Sequence, residues 1–409
     1  MQIYLVGGAV RDELLGRPVT ERDYVVVGAS PVQMQALGYV KVGADFPVFL
    51  HPITKEEYAL ARTERKQGRG YRGFVCDSAP HVTLEQDLLR RDLTINAMAK
   101  DAEGNIIDPF GGQQDIKNRV MRHVSDAFVE DPLRVFRVAR LAARYHHLGF
   151  GIANQTLSLM RNIAQSGELS FLSAERVWQE TSRSLLAENA EVFFATLKAC
   201  DALGYWFKEL ELLWGIPNPS QWHPEIDTGI HTMMVVKRAS ELSKSLAVRY
   251  AALVHDLGKG QTSSVDWPSH RGHDALGLSP IKAISKRLKV PNECAELALL
   301  VSEHHSTIHR LYERSPQQIL AVLNACDAWR KPERFTQVLL SCQADFQGRK
   351  TFESRPYPQY EQWQEILNLC NSVNAAPFVA QGCTGAAIKE AIEQARLKLI
   401  RDYLQSLTT

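Results

Sequence analysis

The sequence predicts an α+β fold, with a small mixed β-sheet near the amino-terminal end and an all-α body behind it. Apolar, β-branched runs alternate with turns near the start of the chain, as is typical of the strands of one small sheet. From residue 125 onward, apolar residues recur among arginines at helical spacing. The runs that predict strands are IYLV (3–6), DYVVV (23–27), FPVFL (46–50) and EYALA (57–61), and SDAFVEDPLRVFRVARLAARY (125–145) predicts a long amphipathic helix.

The composition indicates an ordinary globular protein. The 409 residues are 45% hydrophobic and 23% charged, and no apolar run approaches the ~18 residues that span a bilayer. The start lacks a basic leader and the seven cysteines include no CxxC pair, which favours a cytoplasmic protein with free thiols. The net charge of +1 lacks the positive excess frequent among nucleic-acid binders, so any nucleic-acid binding would depend on local cation clusters. One such cluster is the Arg/Gly segment 62–73, which fits a loop that holds nucleic-acid phosphates and a disordered surface loop equally well.

Breaks rich in proline and turn residues divide the chain into four predicted parts. GIPNPSQWHPEIDTG (215–229) is interpreted as a linker, and RKPER (330–334) and SRPYPQ (354–359) as later breaks. The predicted parts are a head (1–140), a helical neck (141–220), a histidine-rich helical unit (221–330) and a helical tail (331–409).

A glycine pair ends the first apolar run, and Arg11 follows Gly7 and Gly8 about one helical turn later. A glycine turn lets backbone amides approach an anion closely, because no Cβ intervenes. A guanidinium at this spacing can pair with phosphate. The pattern alone is a weak signal of phosphate binding, and it gains meaning from the carboxylates that follow.

Glu21 and Asp23 stand two residues apart at the entrance to the second predicted strand, so strand alternation directs both to one face. Glu57 begins another apolar run and offers a third carboxylate. Such like charges repel one another unless a divalent cation joins them, and hard oxygen ligands favour Mg²⁺, with phosphate and water as its other ligands. The sequence therefore predicts a magnesium site for metal-assisted phosphoryl transfer, with Glu21, Asp23 and Glu57 as catalytic residues.

Several motifs occur in an order that resembles the class II tRNA nucleotidyltransferases, the CCA-adding enzymes and their poly(A) polymerase relatives. The resemblance implies a polymerase β-like nucleotidyltransferase head that adds the 3′-terminal CCA of tRNA from CTP and ATP, without a template and with release of pyrophosphate. It also implies that Arg91, Arg137 and Arg140 contact the nucleotide. Glu21 departs from the family's usual Asp-x-Asp pair, and its additional methylene shifts the carboxylate by about 1.5 Å. The motifs are LVGGAVRDELLG (5–16), ERD (21–23), RRDLTINAMA (90–99), DPFGG (108–112) and EDPLRVFRVARLAARY (130–145).

Polar residues at spacings of three and four form one stripe of the predicted long helix. Cytosine and adenine present an amine donor beside a ring-nitrogen acceptor, whereas uracil and guanine present the reverse. A carboxylate only accepts hydrogen bonds and a guanidinium only donates them, so Asp131 with Arg134 suits C and A, the role that the resemblance also assigns to this pair. Asp92 is expected to accept a hydrogen bond from a ribose hydroxyl. The stripe consists of Asp131, Arg134, Arg137, Arg140 and Arg144.

A histidine–aspartate cluster occupies the histidine-rich unit. His231 precedes the doublet His255–Asp256, a pattern that resembles the HD phosphohydrolase superfamily. Imidazoles and carboxylates suit a transition metal such as Ni²⁺, which lowers the pKa of bound water to about 7. A downstream carboxylate is expected to complete the metal site, with Asp327 preferred and Asp345 as the alternative. A degenerate HD domain that only contacts RNA stays open.

The combination of this head with an HD unit resembles the multifunctional CCA proteins of gamma- and betaproteobacteria. It implies 2′,3′-cyclic phosphodiesterase, 2′-nucleotidase and phosphatase activities beside CCA addition and repair. The expected partners are tRNA, ATP and CTP, with no membrane, in a protein that is a monomer or a homodimer. Two alternatives stay open, namely a poly(A) polymerase and an HD phosphohydrolase whose head only binds RNA.

Overall fold

The computed structural model describes residues 1–42, 47–66, 74–221 and 223–407. Contacts group the chain into two compact units, Met1–Ser184 with Val192–Tyr205, and Leu185–Glu191 with Trp206–Thr409. Unit 1 carries the β-sheet and unit 2 is built from helices. The predicted α+β class is therefore confirmed.

Unit 1 is organised around a seven-stranded mixed sheet with the strand order β3-β4-β5-β2-β1-β8-β9. β2 and β5 run parallel, and the other neighbours in this sheet are antiparallel. Short β6–β7 and β10–β11 pairs lie outside it. The strands are β1 (Gln2–Val6), β2 (Asp23–Val27), β3 (Val40–Val42), β4 (Val48–Leu50), β5 (Glu57–Leu60), β6 (Thr63–Lys66), β7 (Phe74–Asp77), β8 (Ala99–Lys100), β9 (Ile106–Ile107), β10 (Val120–Met121) and β11 (Gly151–Ile152).

The register of the central strands brings the predicted catalytic residues together. Asp23 begins β2 and pairs on one side with Val6, the last residue of β1, and on the other with Glu57, the first residue of β5. Val25 and Val26 of β2 enter two different apolar clusters, because successive side chains of a strand point to opposite faces. The sheet is thus packed on both faces, and its polar ends meet at one edge.

The strand predictions agree with the structure except at their ends. Residue 46, within the predicted strand 46–50, lies outside the described residues. The Arg/Gly segment predicted as a loop begins instead as β6, and its residues 67–73 also lie outside the described part.

The predicted helix 125–145 is shorter than the sequence pattern indicated. A 3₁₀ turn spans Asp126–Glu130, and the α-helix begins only at Arg134, because Pro132 lacks the amide that a continuous helix needs there. The proposed boundary after residue 140 falls inside this helix. The helices up to residue 211 are α1 (Gly8–Leu14), α2 (Pro31–Ala36), α3 (Leu84–Leu89), α4 (Gly112–Asn118), α5 (Arg134–Tyr145), α6 (Asn154–Gln165), α7 (Ala174–Leu185), α8 (Ala190–Ala199) and α9 (Leu203–Glu211).

In unit 2, α16 packs against α10, α11 and α14. The proposed boundary after residue 330 therefore separates a helix from the partners that bury it. The helices are α10 (Thr228–Leu242), α11 (Leu246–Val254), α12 (His273–Leu276), α13 (Leu278–Leu288), α14 (Asn292–His309), α15 (Pro316–Ala325), α16 (Pro332–Gln347), α17 (Gln359–Asn371), α18 (Ala376–Ala380) and α19 (Ala386–Ser406).

The segment interpreted as a linker, 215–229, is part of the packed unit. Pro217 and Asp227 form an isolated β-bridge, and the side chains of Asn218 and His223 are buried. A Cβ on Gly229 would lie 2.4 Å from the indole of Trp214, so the chain is packed tightly where α10 begins. Its proline content marks a fixed turn here and not a free connection.

The state of the cysteines and the hydropathy of the helices agree with what the sequence predicted. All seven cysteines lie among the described residues and none of them forms a disulfide, and burial raises the pKa of Cys200 and of Cys326 to about 12. Among the described residues, no helix has the length and apolar content needed to cross a bilayer.

Candidate active sites

A cavity of about 610 Å³ opens in unit 1 where β1, β2 and β5 present their polar ends. Ten arginines and six carboxylates among the described residues line it. This excess of positive charge suits a polyanion such as a nucleoside triphosphate. Every residue that the sequence assigned to the nucleotide and Mg²⁺ sites lines this cavity, namely Gly7, Gly8, Arg11, Glu21, Asp23, Glu57, Arg91, Asp92, Asp131, Arg134, Arg137 and Arg140.

Three acidic residues of this cavity lie at or next to the ends of two neighbouring strands. Asp23 and Glu57 are paired residues of neighbouring parallel strands, whereas Glu21 lies just before β2 begins and not within the strand. The pKa of Asp23 is raised, first because protein surrounds the carboxyl and further by the negative charge of Glu21, although Arg91 and Arg137 act in the opposite direction. A divalent cation would relieve this repulsion. In the described residues, no group of three closely spaced metal-ligand atoms includes these oxygens.

At Gly7 and Gly8, neighbouring arginine side chains leave little room for a Cβ atom. Gly7 has φ 70°, a conformation that side-chain-bearing residues rarely adopt. A Cβ on Gly7 would lie 3.0 Å from Nη1 of Arg91, and one on Gly8 would lie 3.2 Å from Nη2 of Arg11. Glycine therefore lets two guanidinium groups approach the turn at the end of β1.

Arg11 is a buried residue with fixed partners. Its Nε donates to Oδ1 of Asp12 at 3.0 Å, its Nη1 donates to Oδ1 of Asn96, and its guanidinium lies over the ring of Tyr145. The hydroxyl of Tyr145 also donates to Asp12 at 2.6 Å, and Nη2 of Arg144 donates to it at 3.0 Å. Sequence reasoning missed Asp12 and Asn96, although both stand inside motifs that it quoted.

Two buried aspartates hold arginines at the cavity wall. Asp87 accepts from Arg90 at 2.6 Å and from Arg91 at 3.0 Å. Asp92 accepts from Nε of Arg137 at 2.9 Å. Burial alone would raise the pKa of each carboxyl, but the neighbouring arginines outweigh it and lower both values. Asp92, predicted as a ribose acceptor, is therefore engaged as a positioning residue for Arg137.

The predicted base-reading pair has protein partners of its own. Oδ1 of Asp131 accepts from the amide of Leu133 at 3.1 Å, and Oδ2 accepts from Nη2 of Arg176 at 2.9 Å. The guanidinium of Arg134 donates to the backbone carbonyls of Ala127 and Arg90. Farther along α5, Nε of Arg140 donates to Glu180. Arg176 and Glu180 were missed because nothing in the local sequence of α7 marks them.

Unit 2 holds the second candidate site, where four ligand atoms converge. Oδ1 of Asp345 lies 3.0 Å from Nε2 of His231 and 3.7 Å from Nε2 of His255. Oδ2 of Asp256 lies 3.2 Å from Nε2 of His255 and 4.0 Å from Nε2 of His231. The four side chains come from α10, the end of α11 and α16, and all are buried.

The prediction of Asp327 as the last ligand is wrong. Asp327 lies on the surface beyond α15, and its carboxylate pairs with Arg330 at 2.8 Å. Asp345, the alternative, takes the place beside His231 because α16 packs along α10 and α11. Sequence distance alone could not decide between the two aspartates.

The donor set of unit 2 fits a divalent cation. Nδ1 of His255 lies 2.8 Å from the carbonyl of Ala252, so in the neutral ring Nδ1 carries the proton and Nε2 offers its lone pair to a cation. In the described residues, Nε2 of His255 and Oδ1 of Asp256 have no hydrogen-bond partner. Burial alone would lower the pKa of His255, but Asp256 and Asp345 outweigh it and raise the pKa to about 10. A bound cation would supply the positive charge that these carboxylates favour.

The segment 215–229, which the sequence suggested as a linker, supplies residues that contact the ligand side chains of this site. Oε1 of Glu225 lies 3.0 Å from Nδ1 of His223 and 3.0 Å from Nδ1 of His231, and these histidines lower the pKa of Glu225 although burial acts to raise it. Nζ of Lys259 lies 2.7 Å from Oδ2 of Asp256. The sequence named neither His223 nor Glu225, which stand among the prolines that suggested a linker.

Three family models match the chain in order. Residues 3–122 match the poly A polymerase head domain, residues 149–213 match the probable RNA and SrmB-binding site of polymerase A, and residues 228–329 match the HD domain. The fold and the two sites thus define a nucleotidyltransferase head joined to an HD domain.

Similar proteins cover nearly the whole chain. A multifunctional CCA protein of Pseudoalteromonas atlantica is 61% identical over 401 residues, which are 98% of this chain and 99% of that protein. One of Tolumonas auensis is 56% identical over 402 residues, covering 98% of each. The chain belongs to the multifunctional CCA protein family. The family predicted from the motifs is confirmed.

Solved structures show the same fold. The Bacillus stearothermophilus CCA-adding enzyme in complex with CTP superposes with a TM-score of 0.63 at 24% identity, covering 98% of this chain and 89% of that one. The Thermotoga maritima CCA-adding enzyme complexed with tRNA gives a TM-score of 0.62 at 19% identity, covering 99% and 91%. These neighbours support the assignment of the α+β head with a helical body.

Proposed function

We propose that the protein builds and repairs the 3′-terminal CCA of tRNA from CTP and ATP, and that its HD centre hydrolyses phosphate esters at RNA ends. The observation that carries the first part is the strand register, which brings Asp23, Glu57 and the Gly7 turn to one edge of an arginine-lined cavity. The relatives named as multifunctional CCA proteins support both parts. The protein is expected to work in the cytoplasm, as a monomer or a homodimer.

In the head, the reacting groups are the 3′-hydroxyl of tRNA and the α-phosphate of the nucleotide. The oxygen attacks phosphorus and gives up its proton to water, the bond to the β-phosphate oxygen breaks, and pyrophosphate leaves. Glu21 and Asp23, with Glu57 beside them, would hold Mg²⁺, which would supply charge neutralisation and activation of the hydroxyl. Arg11 and Arg91, whose guanidinium groups approach the glycine turn, stabilise the negative charge of the leaving pyrophosphate.

Base selection is assigned to Asp131 with Arg134. Their carboxylate and guanidinium suit the amine donor and ring-nitrogen acceptor shared by cytosine and adenine. Arg176 holds one oxygen of Asp131, and backbone carbonyls hold Arg134, so the pair is oriented before a base arrives. G or U would leave polar groups unpaired, at about 1–3 kcal/mol each.

In unit 2, a transition metal such as Ni²⁺ is proposed at His231, His255, Asp256 and Asp345, where it would supply an activated water for phosphoester hydrolysis. A cavity of about 560 Å³ borders this centre and is lined by Asp256, Lys259, Arg310 and Arg349 among others. The three cations of this wall suit a phosphate group.

The test of the head is nucleotide incorporation into tRNA that lacks CCA, with labelled CTP and ATP in separate and combined reactions. We expect two cytidines followed by one adenosine, dependent on Mg²⁺. A poly(A) polymerase would add only adenosines, and a head that merely binds RNA would incorporate nothing; either result contradicts the proposal. Glu21→Asp tests the position that departs from the usual acidic pair, and we expect it to keep the same product.

A further inference from the structure

The last turn of α5 carries two residues that the proposed function leaves without a role, Arg144 and Tyr145. Arg144 belongs to the polar stripe of this helix and lines the nucleotide cavity, whereas Tyr145 is buried. Nη2 of Arg144 donates to Oδ2 of Asp12 at 3.0 Å, and the hydroxyl of Tyr145 donates to Oδ1 at 2.6 Å. Asp12 follows Arg11 on α1, so the end of α5 is tied to the helix that carries a phosphate-binding arginine.

The carboxylate of Asp12 is shared between the two helices. Its Oδ1 accepts from Nε of Arg11 at 3.0 Å as well as from Tyr145. Burial alone would raise the pKa of Asp12, but the charges of Arg11 and Arg144 and the hydrogen bond from Tyr145 outweigh it and lower the pKa. Burial raises the pKa of Tyr145 to about 12, so at neutral pH the phenol keeps its proton and remains a donor to the ionised carboxylate.

Arg11 is held against α5 in two further ways. Its Cζ lies 4.8 Å from the centroid of the Tyr145 ring, a distance at which the face of the ring attracts a cation. Its Nη1 donates to Asn96, whose Nδ2 donates to Oδ1 of Asp92 at 3.0 Å, and Oδ2 of Asp92 accepts from Nε of Arg137 at 2.9 Å. Both routes from Arg11 therefore end on α5, one at Arg137 in its first turn and the other at its last residue.

These contacts set the phosphate site of the cavity relative to its base site. The pair assigned to base selection, Asp131 and Arg134, lies at the start of α5, and Tyr145 is the last of its 12 residues, which span about 18 Å. We propose that Asp12 and Tyr145 are positioning residues of nucleotidyl transfer, which hold α1 against α5 and thereby keep the guanidinium of Arg11 where pyrophosphate leaves. Only the role of Arg11 at the pyrophosphate rests on the proposed function.

A second tyrosine of unit 1 provides a matched control. The hydroxyl of Tyr205 donates to the carbonyl of Ala164 at 2.5 Å, and Tyr205 lies outside the set of described residues that line the cavity. Tyr205→Phe therefore removes a tyrosine hydroxyl and its hydrogen bond from the same unit without a contact to Arg11 or Asp12.

The test measures kcat and KM for CTP with tRNA that lacks CCA, and for ATP with tRNA that ends in CC. We expect Tyr145→Phe and Asp12→Asn each to lower kcat by about tenfold or more for both nucleotides with little change in KM, because a displaced Arg11 stabilises the leaving group less well. The ratio of the two rates should stay that of wild type, since the base-selecting pair keeps its partners. Tyr205→Phe should keep kcat within about twofold of wild type.

Arg11→Ala separates a positioning role from a purely structural one. If Tyr145 acts through Arg11, Tyr145→Phe should cause no further loss of kcat in the Arg11→Ala background, because the effects of coupled residues are not additive. A side chain that only stabilises the fold would lower activity by the same factor in both backgrounds.

A wild-type kcat in Tyr145→Phe would overturn the inference. So would an undiminished effect of Tyr145→Phe in the Arg11→Ala background, or a loss confined to one nucleotide. If Asp12→Asn fails to fold by circular dichroism, the comparison of Tyr145→Phe with Tyr205→Phe decides. A wild-type chain that incorporates no nucleotide would contradict the proposed function, and the inference with it, whereas an active wild type with equally active variants contradicts the inference alone.

Discussion

At the residue scale, buried carboxylates fix the arginines of the nucleotide cavity. A buried charge is tolerated when it is paired and hydrogen-bonded. Asp87 holds Arg90 and Arg91, and Asp92 holds Arg137. The pKa of Asp92 is lowered and that of Arg137 is raised, the two directions expected of one ion pair. The guanidinium groups are therefore oriented before the triphosphate binds, which reduces reorganisation during the reaction.

Gly7→Ala tests whether the turn at the end of β1 must admit Arg91. Both Gly7 and Gly16 have positive φ, but a Cβ on Gly7 would lie 3.0 Å from Nη1 of Arg91, whereas one on Gly16 meets nothing within 4 Å. We expect Gly7→Ala to lower kcat/KM for nucleotide incorporation by about 10²-fold, because displacement of a positioning group by about 1 Å has that effect.

Gly16→Ala is the matched control for this change. It should cost about 1–2 kcal/mol of unfolding free energy through its left-handed conformation and leave incorporation within a few-fold of wild type. Equal losses of activity in both variants would mean that backbone strain alone, and not contact with Arg91, explains the need for glycine.

At the element scale, the four central strands of the sheet, β1, β2, β4 and β5, were predictable and long-range partners were not. The register between β2 and β5 joins residues whose runs were recognisable as short apolar segments between turns. Asp345 and Arg176 lie instead on helices whose apolar pattern identifies a buried face but not the neighbour that buries it. The prolines around His223 and Glu225 resembled a linker, because turn chemistry is the same in a solvent-exposed connection and in a packed one. The positions of these residues in the sites depend on tertiary packing, which the local sequence does not reveal.

Replacement of the α16 aspartate tests the corrected ligand. Asp345→Asn keeps the volume but removes the charge beside His231 and His255, so we expect phosphoester hydrolysis to fall by at least about 10²-fold, since even outer partners of a metal site are worth 10–100-fold. The measurement is release of phosphate from a 2′-nucleotide with added Ni²⁺. Asp327→Asn removes a surface carboxylate paired with Arg330 and should leave that rate unchanged. The reverse pattern would restore Asp327 as the ligand.

At the scale of the whole molecule, the two candidate sites share no residue. The cavity of unit 1 is lined by residues between Val6 and Arg183, and that of unit 2 by residues between Pro219 and Gln359. The chain is similar over almost its full length to multifunctional CCA proteins. Two chemistries can therefore be carried by one polypeptide with separate ligands, and each should be removable by itself.

Asp23→Asn and His255→Gln should dissociate the two activities. The first removes the carboxylate paired with Glu57 and should abolish CTP incorporation into tRNA while phosphate release stays at the wild-type rate. The second removes an imidazole ligand from the HD centre and should have the opposite effect. Glu103→Gln, an exposed carboxylate in the turn before β9, controls for loss of a head charge and should change neither rate. If Asp23→Asn left incorporation intact, the acidic edge of the sheet would not be the polymerising site. If it also abolished hydrolysis, the two centres would have to act as one, and their separate ligand sets would need another explanation.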